Sequence, residues 1–309
     1  MALGRDKQVI YLNPTRRNHM GRISFKQKQQ DWLTQQWVIS GGKQLNSNDR
    51  SWLLGPFGRV GDAGEDFIYQ LAKEEQLIIM RNCTHVGLVS SLHVLGLSRE
   101  DQAKINPKII DFYEQTSEYN LRMSLQWNPI FKCCGYLLNV LFSNRLKQLH
   151  IPTKSKLRNE PITSEIIQLI TPQTKEIRYT FWLRTLPLQG SIIFSGVYST
   201  CLLPTGKKAV KAVFPLPNGN ATVLMKPQLG TQGELILDSS GKIWGEAGFY
   251  FLLQDTKEKY WARFIPSFKD KLVVQAHSNG LTANQQLKLW GIAVLSIDYQ
   301  ISAKKQPDL

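Results

Sequence analysis

The spacing of apolar residues changes near residue 160. Before that point it is mostly helical: residues 65–76 place apolar side chains on one face, and residues 86–95 repeat one every three positions. Asn106-Pro107 is a helix-start signal, with asparagine as the cap and proline in the first helical position. These patterns predict three helical segments.

Strict alternation over residues 121–127, ended by Asn128-Pro129, predicts one half-buried strand within this region. A further helix is predicted from Ile130 to Leu149, where apolar residues form one broad face.

After Pro161 the alternation is typical of strands, and turn residues such as Pro217-Asn218-Gly219 and Asn279-Gly280 separate them. Short connections require antiparallel neighbours. The predicted strands are 177–184, 191–200, 208–216, 221–226, 234–238, 249–254, 259–265, 271–278 and 287–301. The first of them has two distinct faces, one with Ile177 and Phe181 and the other with Arg178 and Arg184.

These elements predict an α+β protein, with a helical N-terminal half packed on a C-terminal antiparallel β-barrel or strongly curved β-sheet. A closed barrel is favoured over a sandwich because the strands follow one another in hairpins and closure leaves no exposed edge. The predicted regions are a basic arm (1–50), a mainly helical region (51–160) and the barrel-like region (161–309).

Composition fits a folded globular protein: of the 309 residues, 42% are hydrophobic and 20% are charged. The 38 basic and 24 acidic side chains give a net charge of +14, which favours an anionic partner or surface. Four scattered cysteines and five histidines show no zinc-ligand spacing, so no metal or cofactor is predicted. The sequence shows no signal peptide and no membrane-spanning run, and this predicts a cytoplasmic location.

One segment resembles a known group. Phe112-Tyr113-Glu114 with Thr116, a strand ending at Trp127, and Gln148-Leu149 before Pro152 are similar to the YndJ-like proteins, an uncharacterised bacterial group. The resemblance covers residues 105–152. It implies a bacterial protein with a β-rich C-terminal region, and it transfers no catalytic residue.

Candidate chemistry is sparse, because no G-x-S-x-G or H-E-x-x-H motif is present. Glu246 lies among small and aromatic residues, where burial would raise its pKa, although a solvent-facing turn residue is the favoured interpretation. Arg263 shares a strand face with Trp261, and two roles stay open for it: binding a ligand carboxylate, or pairing with a neighbouring acidic residue. The ligand-binding candidates are Glu246, Arg263, His277, Trp182 and Trp244.

The predicted helix over 130–149 continues into a basic stretch. An amphipathic helix with a basic end is typical of a membrane surface, but it also describes a core helix beside a basic loop, which we favour. The membrane-surface candidates are Arg145, Lys147, Lys154, Lys156 and Arg158.

The sequence therefore favours a binding protein over an enzyme. The leading hypothesis is a barrel that holds a hydrophobic small molecule or acyl ligand; its extension places the protein at an anionic membrane surface, peripheral to the inner membrane. The first alternative is an enzyme that acts on a small acidic or acyl substrate through Glu246, Arg263 and His277. The second, nucleic-acid binding through the basic arm, is disfavoured because charge alone supports it. The oligomeric state is not predicted.

Overall fold

The strand predicted over 121–127 lies at Tyr119–Trp127, where buried apolar side chains alternate with more exposed polar ones. The structure is a computed structural model that describes residues 9–10, 35–46, 49–58, 65–129, 157–187, 191–255 and 257–304.

Three helices of the described chain are named α1 to α3: Glu65–Glu74, Arg99–Lys104 and Pro107–Glu114. Short 3-10 turns cover Leu92–Leu95 and Thr116–Glu118, and residues 35–41 form a further helical stretch. Strands β1 to β15 are Val9–Ile10, Lys43–Leu45, Ile78–Met80, Tyr119–Trp127, Leu157–Ile170, Ile177–Leu186, Ser191–Leu202, Lys208–Leu216, Gly219–Leu229, Leu235–Asp238, Gly248–Gln254, Tyr260–Phe264, Phe268–His277, Gly280–Leu289 and Ile292–Ala303.

Ten of these strands close into an antiparallel barrel. Its order is β4-β5-β6-β7-β8-β9-β10-β13-β14-β15, and β15 pairs again with β4. Inward side chains are mainly apolar, whereas the outer face of β4 presents Asn120, Arg122 and Gln126 to solvent. The predicted antiparallel barrel is confirmed.

Two barrel strands also pair with strands outside the barrel. The first part of β9 pairs with β11, and β12 and β2 continue that outer sheet, whereas the last part of β9 pairs with β10. The end of β5 pairs with β3, which in turn pairs with β1. Strands β8 and β9 are buried at successive positions, and so on both faces, over most of their length.

Helix α1 begins at two acidic residues, which suit the positive end of the helix dipole, and its apolar face covers the outer side of β6. The ring centroids of Phe67 and Phe181 lie 6.2 Å apart at this contact. Residues 181–183 of β6 are therefore buried on both faces, and this strand lacks a solvent side there.

An ion-pair cluster fixes the edge of the same layer. Arg81, just after β3, donates to both carboxylate oxygens of Glu165 at 2.8 and 2.5 Å, and to Glu65 of α1 at 2.8 Å. It also donates to the Tyr69 hydroxyl at 2.9 Å. One guanidinium thus joins β3, β5 and α1.

The helix predicted over 86–95 is wrong except for the 3-10 turn Leu92–Leu95. The backbone N–H of Leu88 donates to the Thr116 hydroxyl at 3.3 Å, and that of Leu92 donates to the Glu114 carboxylate at 2.7 Å. A Cβ on Gly87 would lie 2.2 Å from the Tyr113 carbonyl oxygen. Close packing against α3 therefore replaces the helical hydrogen bonds.

The single strand predicted over 287–301 is two strands, β14 and β15. Trp290 and Gly291 connect them with φ values of 50° and 83°. Positive φ at both central residues is the geometry of a type I′ hairpin turn. The sequence signal is weak because a bulky residue stands where asparagine or aspartate is usual.

The predicted helical N-terminal half is only partly confirmed. Its described helices are short, and β4, from the region predicted to be mainly helical, is a barrel strand. Strand β5 crosses the boundary predicted at residues 160 and 161. The helix predicted over 130–149 lies outside the described residues. Within the described ranges, no helix is both long and apolar enough to span a membrane.

Candidate ligand cavity in the barrel

A cavity of about 90 Å³ lies inside the barrel. Its wall is mostly apolar and comes from nine of the ten barrel strands, with Leu121, Val210 and Met225 as examples. Alternation along each strand turns these side chains inward, as the closed sheet requires.

Helix α3 and the 3-10 turn Leu92–Leu95 line the cavity at one end of the barrel, with Phe112 and Tyr113 from the helix and Leu95 from the turn. Backbone and side-chain hydrogen bonds hold them there. The Lys108 Nζ donates to the carbonyl oxygens of His277 and Ser278 at 2.9 Å, in the turn between β13 and β14. The Asn106 N–H donates to the Gly233 carbonyl at 3.2 Å, beside β10.

A polar cluster interrupts the apolar wall. Arg184 on β6 is 5% exposed, and its guanidinium donates to the hydroxyls of Tyr198 and Tyr299, each at 3.1 Å. The same guanidinium lies 4.1 Å from the ring centroid of Trp182. Hydroxyl oxygens and an aromatic face thus surround this buried cation.

Asp270 on β13 is the acidic member of the cluster and is also 5% exposed. Its Oδ2 accepts from Gln285 Nε2 at 2.8 Å, and its backbone N–H donates to the Ser239 hydroxyl at 2.7 Å. Its Oδ1 is buried and has no hydrogen-bond partner among the described residues. Native proteins rarely leave such an atom unsatisfied.

Burial raises the pKa of Asp270 to about 7. The hydrogen bond from Gln285 and the charge of Arg184 lower this pKa, whereas the charge of Asp238 raises it. Burial likewise raises the pKa of Tyr299 to about 12. At neutral pH the cluster therefore holds one guanidinium, protonated phenols and a carboxyl group close to its titration midpoint.

Of the ligand-binding candidates, Trp182 lies in the cavity wall, where its Nε1 donates to the Ser164 hydroxyl at 2.8 Å. Trp244 lies elsewhere, with its ring centroid 5.8 Å from that of Trp52 and 5.5 Å from that of Tyr250. It belongs to a separate apolar cluster outside the cavity.

The structure does not bring Glu246, Arg263 and His277 together at the cavity. Glu246 accepts from the backbone N–H groups of Lys242 and Ile243, which lower its pKa, so it stabilises a turn. Arg263 stacks 3.8 Å from the Trp37 ring centroid and donates to the Trp37 carbonyl. His277 Nε2 lies 2.8 Å from the Thr282 hydroxyl at an exposed hairpin.

Among the membrane-surface candidates, Arg158 is exposed near the start of β5. Arg145, Lys147, Lys154 and Lys156 lie outside the described residues. Trp37 of the predicted basic arm packs edge-on against Phe251, at a centroid distance of 5.7 Å.

Sequence reasoning missed Arg184, Tyr198, Asp270, Gln285 and Tyr299 as site residues. The available signal is a polar residue on an otherwise apolar strand face. Asp270 alternates with Phe268, Leu272 and Val274, and Gln285 alternates with Ala283 and Leu287. A charged residue in such a row has to be satisfied inside the protein.

Comparison with known proteins confirms the predicted resemblance and extends it. The chain is 26% identical over 273 residues to "Uncharacterized membrane protein YndJ" of Bacillus subtilis (strain 168). The aligned region covers 88% of this chain. The chain spans about half (47%) of that relative's length. No known family profile matches the chain, and no solved structure matches it.

Proposed function

We propose that the barrel binds a small ligand with an apolar body and a polar head. The observation that carries this proposal is the cavity, in which an apolar wall surrounds the buried cluster of Arg184 and Asp270. Apolar lining with a few convergent polar groups is the usual composition of a ligand pocket.

The alternative use of such a cluster is purely structural. Burying two ionisable groups is costly unless their hydrogen bonds are complete. Oδ1 of Asp270 lacks a partner among the described residues, so the cluster gains from a polar group placed in the cavity. A bound head group supplies that partner, and this favours ligand binding over a structural role.

Cavity size restricts the ligand. The volume of about 90 Å³ is smaller than the roughly 150 Å³ of an engineered apolar cavity that admits benzene. A chain of about two to four carbons with one polar head is therefore the expected ligand class. A long acyl chain requires the wall to rearrange.

Calorimetry and ligand-observed NMR with acetate, butyrate, butanol and butyramide test this proposal. We expect saturable one-to-one binding of at least one four-carbon probe, together with a change in tryptophan fluorescence from Trp182. Ala283→Leu, which fills the cavity from β14, should abolish binding at a stability cost of about 1–3 kcal/mol. Absence of saturable binding, or unchanged binding by Ala283→Leu, contradicts the proposal.

A second candidate role is contact with an anionic membrane surface, and the hairpin between β14 and β15 favours it. Trp290 is 69% exposed and Ile292 is 50% exposed at this tip. Lys269 of β13 and Lys288 of β14 lie nearby, opposite each other in the strand register. Tryptophan beside lysine is typical of a membrane–water interface. The relative's description as a membrane protein supports the same role.

Sedimentation with phosphatidylglycerol vesicles, and with neutral phosphatidylcholine vesicles for comparison, tests this second role. Replacing Trp290 and Ile292 by Ser should weaken sedimentation with the anionic vesicles severalfold and leave thermal stability nearly unchanged. Ile243→Ser, at a comparably exposed isoleucine outside the hairpin, is the matched control. Equal sedimentation of all three proteins with the anionic vesicles contradicts membrane contact by this hairpin.

A further inference from the structure

We propose that the polar head of the cavity ligand is a carboxylate, bound by Arg184 and the two tyrosine hydroxyls, with a proton on Asp270 shared between the two carboxyl groups. This inference rests on the proposed ligand-binding function and names the chemical class of its ligand. Four residues of the barrel wall carry it.

The cationic side of the cluster is arranged to donate. Arg184 donates to the oxygens of Tyr198 and Tyr299, so each tyrosine acts as an acceptor and keeps its own hydroxyl proton for a further partner. No described residue accepts from either hydroxyl. Two O–H donors beside a guanidinium, all lining one cavity, match the acceptor oxygens of an anion.

The acidic side supplies the remaining donor. Oδ1 of Asp270 has no described partner, and Asp270 lines the same cavity as Arg184. A carboxylate ion beside an ionised Asp270 would meet a like charge. When Asp270 is protonated it donates to the ligand oxygen, and the pair of carboxyl groups carries a single negative charge opposite Arg184.

The charges around Asp270 are consistent with this assignment. From β10, Asp238 acts on Asp270 and favours its protonated form, whereas Arg184 from β6 favours ionisation. Gln285 from β14 bonds to the other oxygen, and Tyr198 and Tyr299 interact with Asp270 electrostatically from β7 and β15. Lys269 and Lys271 flank Asp270 on β13 with side chains on the opposite face of the strand.

Other head groups fit less well. A ligand ammonium group would lie close to the like charge of Arg184, and Asp270 is the one carboxyl group of the described cavity wall that would offset the repulsion. A phosphate dianion carries more charge than one guanidinium neutralises, and it fills much of a cavity of about 90 Å³. A monocarboxylate balances the single cation and matches the donors present.

The test compares butyrate with isosteric butyramide, by calorimetry between pH 5.5 and 8.5. At pH 6 butyrate should bind at least tenfold more tightly than butyramide. Its affinity should then fall about tenfold per pH unit above pH 7, because binding requires the proton on Asp270. Asp270→Asn should remove most of this pH dependence, since the amide donates without titrating.

Asp298→Asn is the matched control, because Asp298 is an exposed aspartate on the outer face of β15. It should bind butyrate like the unchanged protein at every pH. Tyr299→Phe, which removes one donor, should weaken butyrate binding about tenfold and leave butyramide binding within about twofold.

The outcomes separate the two proposals. Equal affinity for butyrate and butyramide overturns the carboxylate assignment and leaves the ligand-binding function standing. A pH dependence that survives in Asp270→Asn overturns the role of Asp270. Failure of both probes, and of butanol, to bind the unchanged protein overturns the ligand-binding function itself.

Discussion

Arg184 and Tyr299, which are 115 residues apart in the chain, are joined inside the barrel by a hydrogen bond of 3.1 Å. The bond connects β6 with β15, and β4 and β5 separate these two strands in the barrel wall. Such a contact forms only after the sheet has curved far enough for its inner face to enclose both residues. Barrel closure and assembly of the polar cluster are therefore the same event.

The first prediction concerns the pH dependence of folding stability. Burial raises the pKa of Asp270 from 3.8 to about 7, so the folded protein holds a proton between roughly pH 4 and 7 that the unfolded chain has released. The contribution of this group to stability is therefore greatest at low pH and is lost as the pH rises towards 7. The full change is at most about 4 kcal/mol, since one pKa unit corresponds to about 1.4 kcal/mol.

Urea unfolding at pH 5 and pH 8 measures this effect. Asp270→Asn should be more stable than the unchanged protein at both pH values, and the difference should be clearly larger at pH 8 than at pH 5, because the unfolded chain has already released this proton at pH 5 while the folded protein still holds it. Asp298→Asn provides the comparison for an exposed carboxylate. A stability difference between the unchanged protein and Asp270→Asn that is equal at both pH values contradicts the prediction.

The second prediction uses Phe112 of α3, which lines the cavity, and Phe67 of α1, which packs outside the barrel wall. Replacing either buried ring by alanine should cost about 3–5 kcal/mol. Only Phe112→Ala enlarges the cavity, so only that variant should gain affinity for hexanoate relative to butyrate. Calorimetry with both acids measures the change, and an equal gain in Phe67→Ala would show that the selectivity has another origin.

The third prediction separates the two carboxylates around Arg81. Glu165 receives two hydrogen bonds and its side chain is 18% exposed, whereas Glu65 receives one and is 41% exposed. Glu165→Gln should therefore cost about 2–4 kcal/mol, and Glu65→Gln less than about 1 kcal/mol. Urea unfolding at pH 7 measures the loss of unfolding free energy in each variant. Equal losses in the two variants would show that burial of the carboxylate does not decide how much each ion pair contributes to stability.

The fourth prediction concerns the turn that precedes β11. The hydroxyl of the fully buried Tyr250 donates to the Glu246 carbonyl at 2.7 Å and accepts from the Gly245 N–H at 3.1 Å. Tyr250→Phe leaves both backbone groups without this partner and should cost about 1–3 kcal/mol. Glu246→Gln should cost less and should leave butyrate binding unchanged; loss of binding in that variant would place Glu246 in the site after all.

Alternation was sufficient to predict most of the barrel. The predicted strand over 208–216 has the bounds of β8, and the Asn106 cap with Pro107 opens α3 as expected. These features are local, because turn chemistry and side-chain period act over a few residues. The hairpin at Trp290 was missed because its positive φ values are imposed by the paired strands on either side.

The polar cluster was missed for a related reason. Lys269, Asp270 and Lys271 together are typical of a solvated turn, so the predicted strand began at residue 271 and left Asp270 outside it. Arg184 shares a face of β6 with Arg178 and Thr180, a pattern that predicts a solvent-facing side chain, but α1 covers one face of the strand and the cavity occupies the other. Which face of a strand meets solvent depends on distant segments, and local pattern does not contain that information.

The two-part pairing of β9 has a consequence for how the protein unfolds. One continuous strand serves the outer sheet with residues 219–224 and closes the barrel with residues 226–229. Loss of the barrel seam therefore frees one end of the strand on which the outer sheet is built. Hydrogen exchange of β11 should then follow the global opening of the barrel, and a protease that reaches one unit should degrade both.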